Sequence, residues 1–229
     1  MRIIAFAGLA RSGKTTAARI LDRWCRQHHM IPVQCSFAGP MKKAAERIGL
    51  SKDSNPAKYR RIMQSWGERK RDPAHQPGRS GPDYWVNKAR KMIVKEAEKE
   101  REVYRNLAEN GLENDFRETV LIFDDMRYIN ELNMVTALDG ISVFVDGATR
   151  LKDLSASWRA HESEALATLV TAGVIESEIF DYFVPNETTE NNLIKFVRKL
   201  APAWFDHTYL CPCCGLNEEE EEEETDEQI

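Results

Sequence analysis

Eight residues near the N-terminus limit what this chain can fold into more than any others. Gly8-Leu9-Ala10-Arg11-Ser12-Gly13-Lys14-Thr15 satisfies G-x-x-x-x-G-K-[ST] at every fixed position. Each residue type in the pattern has a physical reason. The glycines permit backbone angles that aim successive N–H groups inward, toward phosphate oxygens. A helix beginning near Lys14 adds the positive end of its dipole. The Lys14 ammonium can reach the β and γ phosphates, and the Thr15 hydroxyl can ligate Mg2+. The flanking elements that the motif requires are present. RIIAFA (Arg2–Ala7) reads as a buried parallel strand, and Lys14 to about Gln27 carries Ala17, Ala18, Leu21 and Trp24 at helical spacing. A chance match in a loop would lack both. The segment therefore predicts a nucleoside triphosphate, with Mg2+, held by Gly8, Ala10, Arg11, Ser12, Gly13, Lys14, Thr15 and Thr16.

The rest of the chain continues the alternation. Pro32–Phe37, Thr119–Phe123, Ile141–Val145 and Phe180–Val184 read as four further strands. Helical spacing recurs over Met41–Ile48, Pro56 to about Lys70, Tyr84 to about Leu107, Ile129–Leu138, Ser163–Ala172 and Glu190–Leu200. Short apolar strands alternating with helices predict an α/β P-loop NTPase fold, a five-stranded parallel sheet covered by helices on both faces. The helical stretch between the second and third strands exceeds an ordinary crossover. It predicts an inserted, helical substrate-binding subdomain over about residues 38–115, the acceptor-binding part if the chain is a kinase. The 84–107 helix is so heavily charged that it reads as a solvated face.

A second constellation lies at the end of the third strand. Asp124-Asp125-Met126-Arg127 follows TVLIF directly, and ligands of open α/β sheets bind at that edge. A carboxylate there can hold Mg2+, and Arg127 would meet a phosphate. The residues do not rank Asp124 above Asp125 as the metal-side group.

Charge limits the partners. The formal net charge is -5, but Glu218–Glu224, Asp226 and Glu227 place nine acidic groups in the last 14 residues. Removing those nine from 37 acidic residues leaves 28 against 32 basic ones, a body of about +4. That suits an anionic small molecule and does not argue for nucleic acid. The tail itself reads as disordered and solubilising. No apolar run approaches the 18 residues or so of a membrane span, and Met1–Leu9 is too short for a signal peptide. The default expectation is a cytoplasmic protein.

Four segments together resemble the phage-type deoxynucleoside monophosphate kinases, within the wider nucleoside monophosphate kinase group. The first is the P-loop. The second is Ser36-Phe37-Ala38-Gly39-Pro40-Met41-Lys42, similar to F-A-x-P-[LIM]-K. The third joins Met63-Gln64-Ser65-Trp66-Gly67-Glu68-Arg69-Lys70-Arg71 to Asp83-Tyr84-Trp85-Val86, similar to Q-x-x-G-x-x-x-R and D-x-W-V. The fourth, Asp124 to Glu131, resembles D-D-[VMI]-R-[FY]-x-N-E. The resemblance spans roughly residues 1–200 and rests on the order and spacing of these segments.

The resemblance implies transfer of the γ-phosphate of ATP to a deoxynucleoside 5′-monophosphate, in the host cytoplasm if the chain is phage-encoded. Such an acceptor is already an anion, so the chemistry needs positioning and charge neutralisation rather than a general base. Arg69, Arg71 and Arg127 become candidates for forked contacts to the acceptor phosphate, with Lys42 a further one. Phe37, Trp66, Tyr84 and Trp85 become aromatic candidates beside the acceptor. Residues of about 147–165 occupy the lid position, where Arg150 and Arg159 would join Lys14 and Arg127 as the catalytic cations. The Val184-Pro185-Asn186-Glu187 loop would pass under adenine, which makes Asn186 a base-contact candidate. Two other readings stay open: a P-loop kinase of another small phosphorylated acceptor, and a nucleotide-gated binding module.

Cysteine usage adds one feature outside the kinase body of residues 1–205. An odd total of five cysteines does not suggest a disulfide framework. Cys211-Pro212-Cys213-Cys214-Gly215 in the 206–229 segment has the spacing of a zinc knuckle. Cys211, Cys214 and His207 supply at most three ligands, so closure of a zinc site would need another source, such as a second copy in a homodimer.

Overall fold

The computed structural model describes residues 1–51, 55–147, 165–186 and 190–205. Five strands form one sheet: β1 (Arg2–Ala7), β2 (Ile31–Cys35), β3 (Thr119–Phe123), β4 (Ile141–Asp146) and β5 (Tyr182–Pro185). Their spatial order is β2-β3-β1-β4-β5, and every neighbouring pair is parallel. The expected α/β architecture is therefore the observed one. β1 and β3 lie inside the sheet and are apolar over Ile3–Ala7 and Val120–Phe123, because parallel strands covered on both faces have no wet side. Register is set accordingly, with Ile3 beside Leu121 and Ala5 beside Phe123.

Alternation along the strands divides the core in two. Ile4, Phe6, Val120, Ile122, Val143 and Val145 face α1 (Lys14–Gln27) and the C-terminal helix Glu190–Trp204. Ile3, Ala5, Leu121, Phe123 and Phe144 face the opposite layer. That layer contains α4 (Tyr84–Glu109), α5 (Ile129–Thr136) and α6 (Ala165–Thr171). Each fully buried Leu, Ile or Phe in these layers contributes about 1.5–3 kcal/mol by leaving water. Buried Cys25 and Cys35 belong to them too and are free thiols, and burial pushes both up to about 12. They behave as small apolar residues.

Between β2 and β3 the chain forms α2 (Gly39–Arg47), α3 (Pro56–Arg71) and α4. Pro40 opens α2, where a missing N–H costs nothing, and Asn55 caps α3 through Lys58 N–H at 2.9 Å. These helices share a small third core of Met41, Ala45, Leu50, Met63 and Trp85, with Tyr59, Ile62, Trp66 and Tyr84 at its margin. α4 differs from a uniformly solvated helix. Its first three turns bury Trp85, Val86, Ala89 and Ile93. The last three of these pack on the sheet layer, so one stripe ties the insert to the main core. Beyond Ile93 the stripe gives way to charge, and the second half of the helix turns to solvent.

Candidate active site

All five strands point their C-terminal ends the same way, so the loops that follow them meet at one edge. The loop after β1 is the P-loop. Gly8 has φ 134° and Gly13 φ 109°, values that side chains rarely tolerate. Space is as restrictive as angle. A Cβ on Gly8 would run into the Val145 carbonyl, and one on Gly13 would run into the Asn186 amide. The loop between them is tightened by Ser12 N–H donating to Leu9 O at 3.0 Å, and Arg11 takes a left-handed φ of 67°. Lys14 is 6% exposed, and its ammonium donates to Gly8 O at 2.8 Å and Leu9 O at 2.6 Å. Thr15 lies at the exposed mouth, with Ala10 and Thr16 half-buried beside it.

The loops after β4 and β5 brace this one from below. Gly147 sits so close that a Cβ would lie 2.8 Å from Ser12 Cα. Asn186 is 2% exposed, donates its amide to Ser12 O at 2.6 Å, and donates its backbone N–H to Asp146 O at 2.6 Å. The structure gives Asn186 a contact to the P-loop backbone at the place where a base contact is expected. The Asn186 amide nitrogen is committed to the P-loop backbone, because β5 delivers it beneath the loop rather than beside its mouth. Replacing Asn186 with alanine is expected to remove about 1 kcal/mol of loop support. Nucleotide affinity should fall roughly fivefold in a fluorescence titration. Unchanged affinity would show that the bond to Ser12 is dispensable.

The two adjacent aspartates separate cleanly. Successive residues leaving a strand point to opposite sides. The Asp124 carboxylate accepts from Thr15 Oγ1 at 3.0 Å. Asp125 turns the other way and is buried. It accepts from Ser36 Oγ in a short bond, from Phe37 N–H at 2.8 Å and from Lys42 Nζ at 3.1 Å, with Ala38 N–H at 3.3 Å. Lys42 also donates to Ser36 Oγ at 2.8 Å and comes within 3.8 Å of Asp124. Burial alone would raise the Asp125 carboxyl. The Lys42 ammonium and the Ser36 and Phe37 donors outweigh it and hold Asp125 below the usual carboxylate value. Burial alone would likewise lower Lys42, but the charges of Asp125 and Asp124 raise it.

A third group stands next to these. Arg71, at the end of α3, lies over the Tyr128 ring at 3.7 Å and donates to Glu131 at 3.4 Å. Glu131 is 2% exposed, and its carboxylate also accepts from the backbone N–H groups of Arg127 at 2.7 Å and Tyr128 at 3.2 Å. Burial pushes Glu131 up to about 7. The Arg127 N–H pulls against that, Asp125 adds to it, and Arg71 opposes it. Arg127 is half-buried on the same turn.

Sequence reasoning missed Ser36, Tyr128 and Glu131 as site residues. The signal for Glu131 was its place three residues into the first turn of α5, where a carboxylate caps backbone N–H groups. Three other expected residues stand apart. The Phe37 ring is 2% exposed and tilts against Phe123 at 4.7 Å, because Phe37 continues the inward alternation of β2. Trp85 is buried in the insert's core with its indole N–H toward Gly67 O at 3.4 Å, so its ring packs rather than waits for a base. Arg69 is exposed, and two residues along a helix turn it about 200° from Arg71. Trp66 and Tyr84 remain half-exposed. Arg150, Arg159, His207, Cys211 and Cys214 lie outside the described residues. Among the described residues no group of three or more His, Cys, Asp or Glu side chains is arranged to hold a metal ion. None of their helices is long and apolar enough to cross a membrane.

A scan against protein-family models finds no match, and a search of curated proteins finds none either. Solved structures do match. One is the crystal structure of APE1195, 12% identical, covering 88% of this chain and 95% of that one with a TM-score of 0.38. Another is shikimate kinase from Acinetobacter baumannii in complex with shikimate, 11% identical, covering 89% and 92% with a TM-score of 0.39. At that distance neither carries an argument about substrate.

Proposed function

We propose that this chain transfers the γ-phosphate of ATP to a small phosphorylated acceptor, and that the acceptor is a deoxynucleoside 5′-monophosphate. One observation carries the reading: Asp124 meets the P-loop at Thr15, while its neighbour Asp125 meets Lys42 on the insert. A triphosphate site and a cationic site thus share one sheet edge. The Arg71 and Arg127 turn supplies further positive charge beside them. Residues 38–115 are the acceptor-binding insert in this reading, and residues of about 147–165 are its lid, bringing Arg150 and Arg159.

The chemistry follows from the charges. An oxygen of the acceptor phosphate forms a bond to the γ-phosphorus while the bond to the β–γ bridging oxygen breaks, and ADP leaves. No proton has to be removed from an acceptor that is already an anion, so no base is required. Lys14 neutralises the β and γ oxygens from the P-loop side. Arg71, Arg127 and Lys42 hold the incoming phosphate in line. Thr15 and Asp124 fit a Mg2+ ion, their oxygens being 3.0 Å apart at the mouth of the loop. That ion would neutralise phosphate charge.

An acceptor panel tests the reading: ATP, Mg2+ and each deoxynucleoside monophosphate, with diphosphate formation followed by chromatography. At least one should be converted. Conversion of a non-nucleotide phosphate with all nucleotides inert would move the acceptor class. ATP hydrolysis with no transfer to any acceptor would point to a nucleotide-gated binding module instead.

A further inference from the structure

We propose that Glu131 is a positioning residue that fixes the two arginines of the acceptor-phosphate site relative to one another. The inference rests on the acceptor reading above and goes beyond it, because Glu131 itself touches no substrate. The carboxylate contacts both arginine-bearing segments. One oxygen takes the side chain of Arg71, from α3 in the insert. The other takes the backbone N–H of Arg127 and that of Tyr128, on the turn after β3. The Tyr128 ring completes the hold by lying under the Arg71 guanidinium at 3.7 Å. A guanidinium between a carboxylate and an aromatic face loses little further freedom on meeting a phosphate. The opposite edge of Arg71 runs past Gly67, where a Cβ would lie 3.1 Å from Nη1. The buried Glu131 carboxylate and the Tyr128 ring therefore join the insert to the sheet edge at this point.

The acid is also of adjustable strength. The charged groups facing it are Asp125 from the end of β3 and Arg71 from α3, while Arg127 and Tyr128 meet it through their backbone N–H groups. Burial and Asp125 favour the neutral form, while Arg71 and the two backbone N–H groups favour the ionised one. Protonation leaves the backbone contacts and removes the charge that holds Arg71. Glu131→Gln does the same thing at every pH.

Two measurements test the proposal. The first uses the acceptor that the panel identifies. Glu131→Gln should raise KM for that acceptor about tenfold, with kcat and KM for ATP within twofold of wild type. The ratio of variant to wild-type KM should shrink as pH falls from 8 to 6, where wild-type Glu131 also becomes neutral. A KM within twofold of wild type at pH 8, in a variant of unchanged melting temperature, would overturn the proposal. The second measurement needs no acceptor. Phenylglyoxal modification of Arg71, followed by mass spectrometry of the peptide, should be at least threefold faster in Glu131→Gln than in wild type. Faster modification with every nucleotide inert would uphold the positioning role and reject the acceptor class. Equal rates would overturn the proposal whatever the acceptor proves to be.

Discussion

Lys14→Ala is expected to abolish useful phosphoryl transfer, lowering kcat by about 10²–10³-fold, the cost of removing one preorganised donor from a developing charge. The fold should survive. The Lys14 ammonium donates to loop carbonyls, Gly8 O and Leu9 O, rather than to groups of the sheet core. The stem could be replaced by water without opening the sheet core. Turnover in a coupled assay and a thermal melt check the two halves separately. Activity within tenfold of wild type would contradict the role of Lys14, and a collapsed melt would show that the side chain is structural.

Asp125→Ala should have the largest effect on stability of any polar substitution in the site. It strands donors from Ser36, Phe37 and Lys42 at once. Bonds to a charged acceptor contribute about 1.5–3 kcal/mol each, but the exposed side of Lys42 will rehydrate, so the expected net loss is about 2–4 kcal/mol. For a chain of this size that corresponds to roughly 4–16 °C in melting temperature. Because Asp125 titrates below its ordinary value of 3.8 in the folded state, its contribution is complete above about pH 4. It is lost as pH falls further. Urea unfolding at pH 7 and at pH 3 should therefore separate wild type from variant more at the first pH than at the second. A difference below 1 kcal/mol at pH 7 would mean that the network is solvent-compensated.

The parts of the site that could be read in advance are those in which one residue type has one physical use. A glycine pair with Lys14 and Thr15 has few meanings, and TVLIF followed by two aspartates can scarcely avoid being a buried strand leaving a sheet. What could not be read depends on which way a side chain turns. Asp124 and Asp125 are chemically identical, and only the geometry at the end of β3 sends one to Thr15 and the other to Ser36. Asn186 looked like a residue at the mouth of the site because chain order says nothing of depth. Arg69 and Arg71 differ by two positions, and the helical turn between them decides which meets Tyr128. Glu131 stands in a polar stretch where a carboxylate would ordinarily face water; burial against Arg71 is a tertiary event. α4 misled in the opposite way, because its abundant charges mask the short stripe of Trp85, Val86, Ala89 and Ile93.

The adjacency of Asp124 and Asp125 sets a dimension. Consecutive Cα atoms are about 3.8 Å apart whatever the sequence around them. β3 is pinned in register on both edges, by β1 and by β2. The anchor of the P-loop side and the anchor of the insert are thus separated by a single peptide link, a covalent ruler that neither loop can stretch. The insert can be rebuilt for a different acceptor without altering the spacing at its root, so long as a residue equivalent to Lys42 returns to the second carboxylate.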